Sequence, residues 1–239
     1  MLLALGLACA AGRAAAQPLT LWAWERPEDL RFAPADADIA VQTGFIELSG
    51  ERLIVRGRRH PLAAPADRVT TAVVHVQVDP RRELAWRSER AEQVAAAVLR
   101  LGARPGVRRL QVDFEVRASQ RPILLALLQA VRAGLPAGTT LSMTALASWC
   151  ETEGWLADAP VDEVVPMLFR MGPGGGRLKA KLAAGGDFAD PRCRSALAIS
   201  TDTPVRAPAG RRVYLFSPRS WTASDFERVK ERVATWRGD

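Results

Sequence analysis

The stretch RRLQVDFEV, Arg108 to Val116, alternates strictly, with an apolar set and a polar set. Successive side chains of a strand point to opposite sides, so Leu110, Val112 and Phe114 share one face and Gln111, Asp113 and Glu115 the other. The stretch lies in mid-chain, in an alternating strand and helix pattern, where strands are usually covered on both faces. A face carrying an amide and two carboxylates therefore needs an interior that can hold polar groups. A closed barrel has such an interior, and its mouth, at the C-terminal ends of the strands, is where barrel active sites lie.

Seven further segments rich in Val, Ile, Thr and aromatic residues read as strands: Leu19–Glu25, Asp38–Leu48, Thr70–Asp79, Thr139–Ala147, Glu163–Arg170, Ser195–Thr201 and Arg211–Pro218. ERLIVRGR, from Glu51, extends the second as a hairpin through Ser49-Gly50. Helical spacing of apolar residues predicts helices over Arg87–Leu101 and Pro122–Leu135, a short one over LKAKLAAG, and a terminal one in TASDFERVKERVATWR capped by Thr222 or Ser224. Eight strands and few helices in 239 residues predict an α/β fold, a compact (β/α)8 TIM-like barrel with some helices short or missing. The alternative is an open doubly wound sheet. No G-x-G-x-x-G follows the first strand, and the chain has no P-loop and no G-x-S-x-G elbow, so no cofactor is expected.

The N-terminal run MLLALGLACAAGRAAAQ is apolar and ends in small residues at Ala14 and Ala16. It predicts a signal peptide over residues 1–16, a single barrel domain over 17–239, and an exported protein of the periplasm or cell envelope. Alternatively, Cys9 serves as a lipid anchor. Cys150 and Cys193 then form an even pair in an oxidising compartment and predict a disulfide, against the plainer expectation of two buried thiols. The two histidines, His60 and His75, stand apart and no C-x-x-C occurs, so no metal site is expected. The net charge is +7, with thirty arginines among 33 basic residues. They fall in scattered pairs with no interleaved aromatic stripe, which argues against nucleic acid as a partner.

The same alternation places His75, Gln77 and Asp79 inward on their strand, beside Gln111, Asp113 and Glu115, with Tyr214 inward on the last strand and Arg170 at the end of its own. Either this set forms a buried ion network, or it serves a site at the mouth. Trp24 and Trp149, at strand ends, are the tryptophans placed to stack on a sugar ring; core packing is the default for the others.

LWAWERPEDLRF, LQVDFEVRASQRP, LSMTALASWC and VDEVVPMLFRMG resemble, in the same order, a bacterial domain-of-unknown-function family, number 3142. More distantly, the Asp113-containing strand is similar to the D-G-x-D-x-D-x-E strand of chitinase-like glycoside hydrolases. That resemblance implies a general acid at Glu115, an assisting carboxylate at Asp113, and a carbohydrate partner. Gln111 stands where those enzymes carry an earlier aspartate. PMLFR is similar to their M-x-Y-D segment, with Met167 matching but Phe169 and Arg170 replacing tyrosine and aspartate, so a hydroxyl is lost and a charge reversed. The expected function is an exported glycoside-hydrolase-like barrel acting on a polysaccharide, with Asp79 the other candidate for second carboxylate and Arg170 binding substrate or orienting Glu115. The alternative is a non-catalytic barrel that binds a glycan or a protein.

Overall fold

The computed structural model describes residues 19–237 apart from 152, 153, 204 and 207. The expected signal peptide, residues 1–16, and with it Cys9, lie outside the described residues. Eleven strands occur: β1 Leu19–Ala23, β2 Glu28–Asp29, β3 Asp38–Ser49, β4 Arg52–Gly57, β5 Leu62–Ala63, β6 Val69–Val78, β7 Arg109–Asp113, β8 Thr140–Leu146, β9 Glu163–Met167, β10 Ala196–Ser200 and β11 Arg212–Phe216. The α-helices are α1 Ser88–Gly102, α2 Arg121–Gly134, α3 Gly175–Ala183 and α4 Ala223–Arg237. Eight strands pair in parallel in the order β1-β11-β10-β9-β8-β7-β6-β3, and β1 pairs with β3 to close the ring. β4 folds back antiparallel on β3, and β2 pairs with β5 outside the barrel. The fold is a closed α/β barrel of the TIM type, with four α-helices among the described residues.

α1 and α2 cover their strands because their apolar residues recur every three or four positions. Val94, Val98, Leu124, Leu127, Leu128 and Val131 are fully buried against Leu110, Val112 and Phe114. Elsewhere the outer layer is built from short 3-10 turns, such as Ala147–Cys150, Trp155–Asp158 and Pro191–Arg194. Arg192 fastens two of these segments together by donating to the carbonyls of Ala159 and Val161 at 2.7 and 2.8 Å. Thr222 caps α4, its hydroxyl accepting the Asp225 N–H at 3.1 Å.

A disulfide joins Cys150 to Cys193, whose Cα atoms are 5.9 Å apart. By strand position the two would sit at opposite ends of the barrel. They meet because the chain beyond β8 turns at once into the outer layer, where the Asp190 N–H donates to the Cys150 carbonyl at 2.9 Å. The bridge closes a loop of 43 residues. Loop-closure entropy then gives about 4 kcal/mol of stability. Reduction, or Cys150→Ser with Cys193→Ser, is expected to lower the unfolding free energy measured in denaturant by that amount; an unchanged value would show that the bridge contributes nothing. A disulfide is compatible with an exported protein. Among the described residues no helix is long and apolar enough to cross a membrane.

Inside the barrel the side chains form three zones. At the N-terminal end, Glu163 meets two arginines, with Arg109 Nε at 3.1 Å and Arg212 Nε at 3.3 Å. It also accepts hydrogen bonds from Ser142 Oγ and Tyr214 Oη, both at 2.8 Å, and Gln111 donates in turn to Ser142 at 2.9 Å. Above this lies an apolar layer of Trp22, Val73, Val165, Met167, Ala198 and Phe216. The polar residues of β6 and β7 reappear at the mouth.

Candidate active site

Asp113 and Glu115 leave the barrel wall together at the C-terminal end of β7, where the polar face of the opening stretch reaches the mouth. Asp113 is buried. It accepts hydrogen bonds from Thr144 Oγ1 at 2.6 Å and from His75 Nδ1 at 2.7 Å. A carboxylate only accepts, so this bond selects the His75 form that carries its proton on Nδ1. β6 and β7 pair with His75 opposite Asp113, which brings the two side chains together on the inner face. Phe45 stacks on the His75 ring with centroids 5.6 Å apart.

Glu115 lies one step beyond, with 35 % of its side chain exposed. Arg170 Nε approaches its Oε1 at 3.2 Å. Arg170 is held over the mouth by its backbone, since its carbonyl accepts the Ala147 N–H at 3.2 Å and the Met171 carbonyl accepts that of Ser148 at 2.8 Å. These bonds continue the β8–β9 contact past the end of the barrel. Gly172 permits it: its φ is +73°, and a Cβ there would meet Ser148 Oγ at 2.4 Å.

Partial burial is the largest influence on Glu115 and raises its proton affinity. The Asp113 charge adds to the rise, while Arg170 and His75 reverse only part of it. For His75, burial opposes the cation but is outweighed by the hydrogen bond and charge of Asp113 and by the charge of Glu115, so its pKa is raised. The site therefore holds an acid that keeps its proton above the ordinary glutamate range, beside an Asp–His pair that favours the imidazolium.

Glu115 opens into a cleft of about 430 Å³ shared with Gln77, Asp79, Arg82 and Arg117. Gln77 donates to Glu47 at 2.7 Å, so it borders the cleft rather than aiming into it. Asp79 accepts from the Arg81 N–H and from Ser49 Oγ, which hold its pKa below the usual carboxylate value. Across the ring, β11 faces β7, and Phe216 stacks with Trp22 at 4.3 Å and meets Phe169 at 4.6 Å and Trp24 at 5.6 Å. The mouth thus has an acidic arc and an aromatic arc.

Of the residues expected at the site, His75, Asp113, Glu115 and Arg170 come together, with Gln77 and Asp79 on the adjoining rim and Trp24 on the aromatic arc. Gln111 and Tyr214 do not reach the mouth. Both are wholly buried in the ion network around Glu163, because they lie too early on their strands. Burial and the charge of Glu163 together push the Tyr214 hydroxyl pKa up. Trp149 is not an open platform either: it is 6 % exposed and packs edge-on against Trp155 at 5.1 Å. Phe45 escapes strict alternation because β3 bulges between Gln42 and Gly44, turning the residues beyond onto the opposite face. The glycine next to that turn was the only local signal.

No group of His, Cys, Asp and Glu among the described residues is arranged to hold a metal ion. No protein-family model matches the chain, and neither does a curated protein or a solved structure.

Proposed function

We propose that the protein is an exported glycoside hydrolase acting on a polysaccharide, with Glu115 as general acid. One observation carries this reading: an exposed glutamic acid of raised proton affinity stands at the barrel mouth, next to a fixed carboxylate and opposite a cluster of aromatic rings. In the aromatic arc the half-buried Trp24 and Phe169, backed by the buried Phe216, offer apolar ring surface to pyranose rings. Glu115 protonates the glycosidic oxygen as the bond breaks, and water adds to the anomeric carbon and loses a proton, which restores the acid form of Glu115 through solvent. Asp113, pinned by His75 and Thr144, presents negative charge to the oxocarbenium-like transition state. Arg170 orients Glu115 and bonds to a sugar hydroxyl or carboxylate. The similarity of VDFEV to the acidic strand of chitinase-like enzymes supports these roles.

Reducing-end release from a panel of soluble polysaccharides tests the proposal. Release from at least one, retained after Cys9→Ser but lost with Glu115→Gln, is the expected result. No release from any, assayed from acidic to neutral pH, would overturn it. The Glu115–Arg170 ion pair favours a second reading, a barrel that binds glycan without cleaving it. Saturable binding without release would select that one.

The pH dependence gives a sharper check. A general acid works only when protonated, so the rate should fall as pH rises through the Glu115 pKa. Arg170 lowers that pKa and Asp113 raises it. Arg170→Ala is therefore expected to move the alkaline limb to higher pH, and Asp113→Asn to move the limb of its residual activity to lower pH. Shifts in the same direction would show that the limb belongs to another group.

A further inference from the structure

A second cavity of about 730 Å³ opens beside β8 and the start of α3, next to the mouth. Its floor is apolar, with the half-buried Leu146 and the edges of the buried Val116 and Trp149 lining it. Among the described residues its walls carry Arg117, Arg121, Arg177 and Lys181 and the acid Glu151. That acid is already engaged, accepting from Lys181 Nζ at 2.8 Å and from the Ala189 N–H at 3.0 Å. Arg121 lies over the Trp155 ring at 5.2 Å. Among the described residues neither Arg117 nor Arg177 forms an ion pair, and both are exposed. Arg117 also lines the cleft that holds Glu115, so one side chain borders both cavities.

The exposed guanidinium groups of Arg117 and Arg177 leave positive charge at the edge of a concave apolar floor, and an anion entering there is attracted to both. Guanidinium groups grip carboxylate and sulfate oxygens through paired N–H donors. The apolar floor suits the C–H face of a sugar ring better than a free phosphate, which has no such face. We infer that this cavity is a subsite for a negatively charged sugar residue, and that the polysaccharide is an anionic one, of the uronate or sulfated class. The inference rests on the proposed glycan-directed function and adds the charge of the substrate and the residues that select it. The chain would run from the Glu115 cleft past Arg117, leaving an acidic sugar a short step from the bond that is cut.

Calorimetric titration of the oxidised full chain carrying Glu115→Gln measures binding without turnover. The probes are a short oligogalacturonate, a sulfated heparin oligosaccharide, a neutral cello-oligosaccharide of the same length and a single-stranded oligodeoxynucleotide. At least one acidic sugar is expected to bind about tenfold or more tightly than the neutral one, from two charge-assisted contacts. Arg117→Ala with Arg177→Ala should abolish that preference. Arg100→Ala with Arg228→Ala, which removes the same charge from α1 and α4, should keep it. Equal affinity for acidic and neutral sugars would overturn the inference, and so would equal loss in the two double variants. Tighter binding of the oligonucleotide, lost in the Arg117 and Arg177 variant, would assign the cavity to nucleic acid instead. The outcomes separate from those of the hydrolase proposal. Preference for acidic sugar in a parent chain that releases no reducing ends leaves the subsite standing and the hydrolase refuted. Cleavage of a neutral glycan without that preference does the reverse.

Discussion

Glu115→Gln is expected to lower the rate of polysaccharide cleavage by about 10²- to 10⁴-fold, the range supplied by a positioned general acid. The substitution keeps the shape of the side chain and removes the proton that the leaving oxygen needs. Glu115 is exposed and lies outside the buried core, so the variant should unfold at nearly the parent temperature. Glycan affinity should persist, because the aromatic arc and Arg170 remain. A variant that cleaves as fast as the parent would remove Glu115 from the chemistry. One that loses glycan affinity in proportion to rate would make it a binding residue.

Glu163→Ala is expected to be the most destabilising single change, and for a reason unconnected with the mouth. Glu163 is the carboxylate between Arg109 and Arg212 and the acceptor for Tyr214 and Ser142. Its removal takes the carboxylate from Arg109, whose side chain is only 14 % exposed, and leaves the similarly buried Arg212 with Asp38 alone, at 3.4 Å. Breaking a buried ion pair by deleting one partner costs about 3–5 kcal/mol. For a chain of this size that lowers the melting temperature by roughly 6–20 °C. Glu163→Gln, which keeps an acceptor for the two hydroxyls, should fall between the two. Circular dichroism melts measure both variants. A loss below about 1 kcal/mol would show that water already carries these charges.

The two predictions separate roles that the sequence had left mixed. Arg170 and Glu115 could have formed a buried ion network or served the mouth. The buried network exists, but it is built around Glu163 at the opposite end of the barrel and draws in Gln111 and Tyr214. Strand alternation reports which face a residue occupies and says nothing of its height along the barrel axis. Height depends on the stagger between neighbouring strands, which is fixed only when the ring closes. Gln111, Asp113 and Glu115 share one face and yet span the interior from its ion network to the open rim.

By itself the sequence determined the strands, the closed α/β barrel, the inward face of β7 and the helices at α1, α2 and α4. These follow from local periodicity and capping, and short-range geometry imposes both. Tertiary structure alone decided three other matters. It supplied the geometry of the bridge that the even pair of Cys150 and Cys193 had predicted, because among the described residues only 3-10 turns lie between β8 and β9 and the chain turns outward at once. It paired His75 with Asp113 and brought Phe45 onto the inner face, through strand register and a bulge that no periodic pattern encodes. It also gathered Arg117, Arg121, Arg177 and Lys181 around one cavity. In the chain these four come from two distant segments, Arg117 and Arg121 around the start of α2 and Arg177 and Lys181 on α3, and only the folding of α2 and α3 against β8 concentrates their charge in one place.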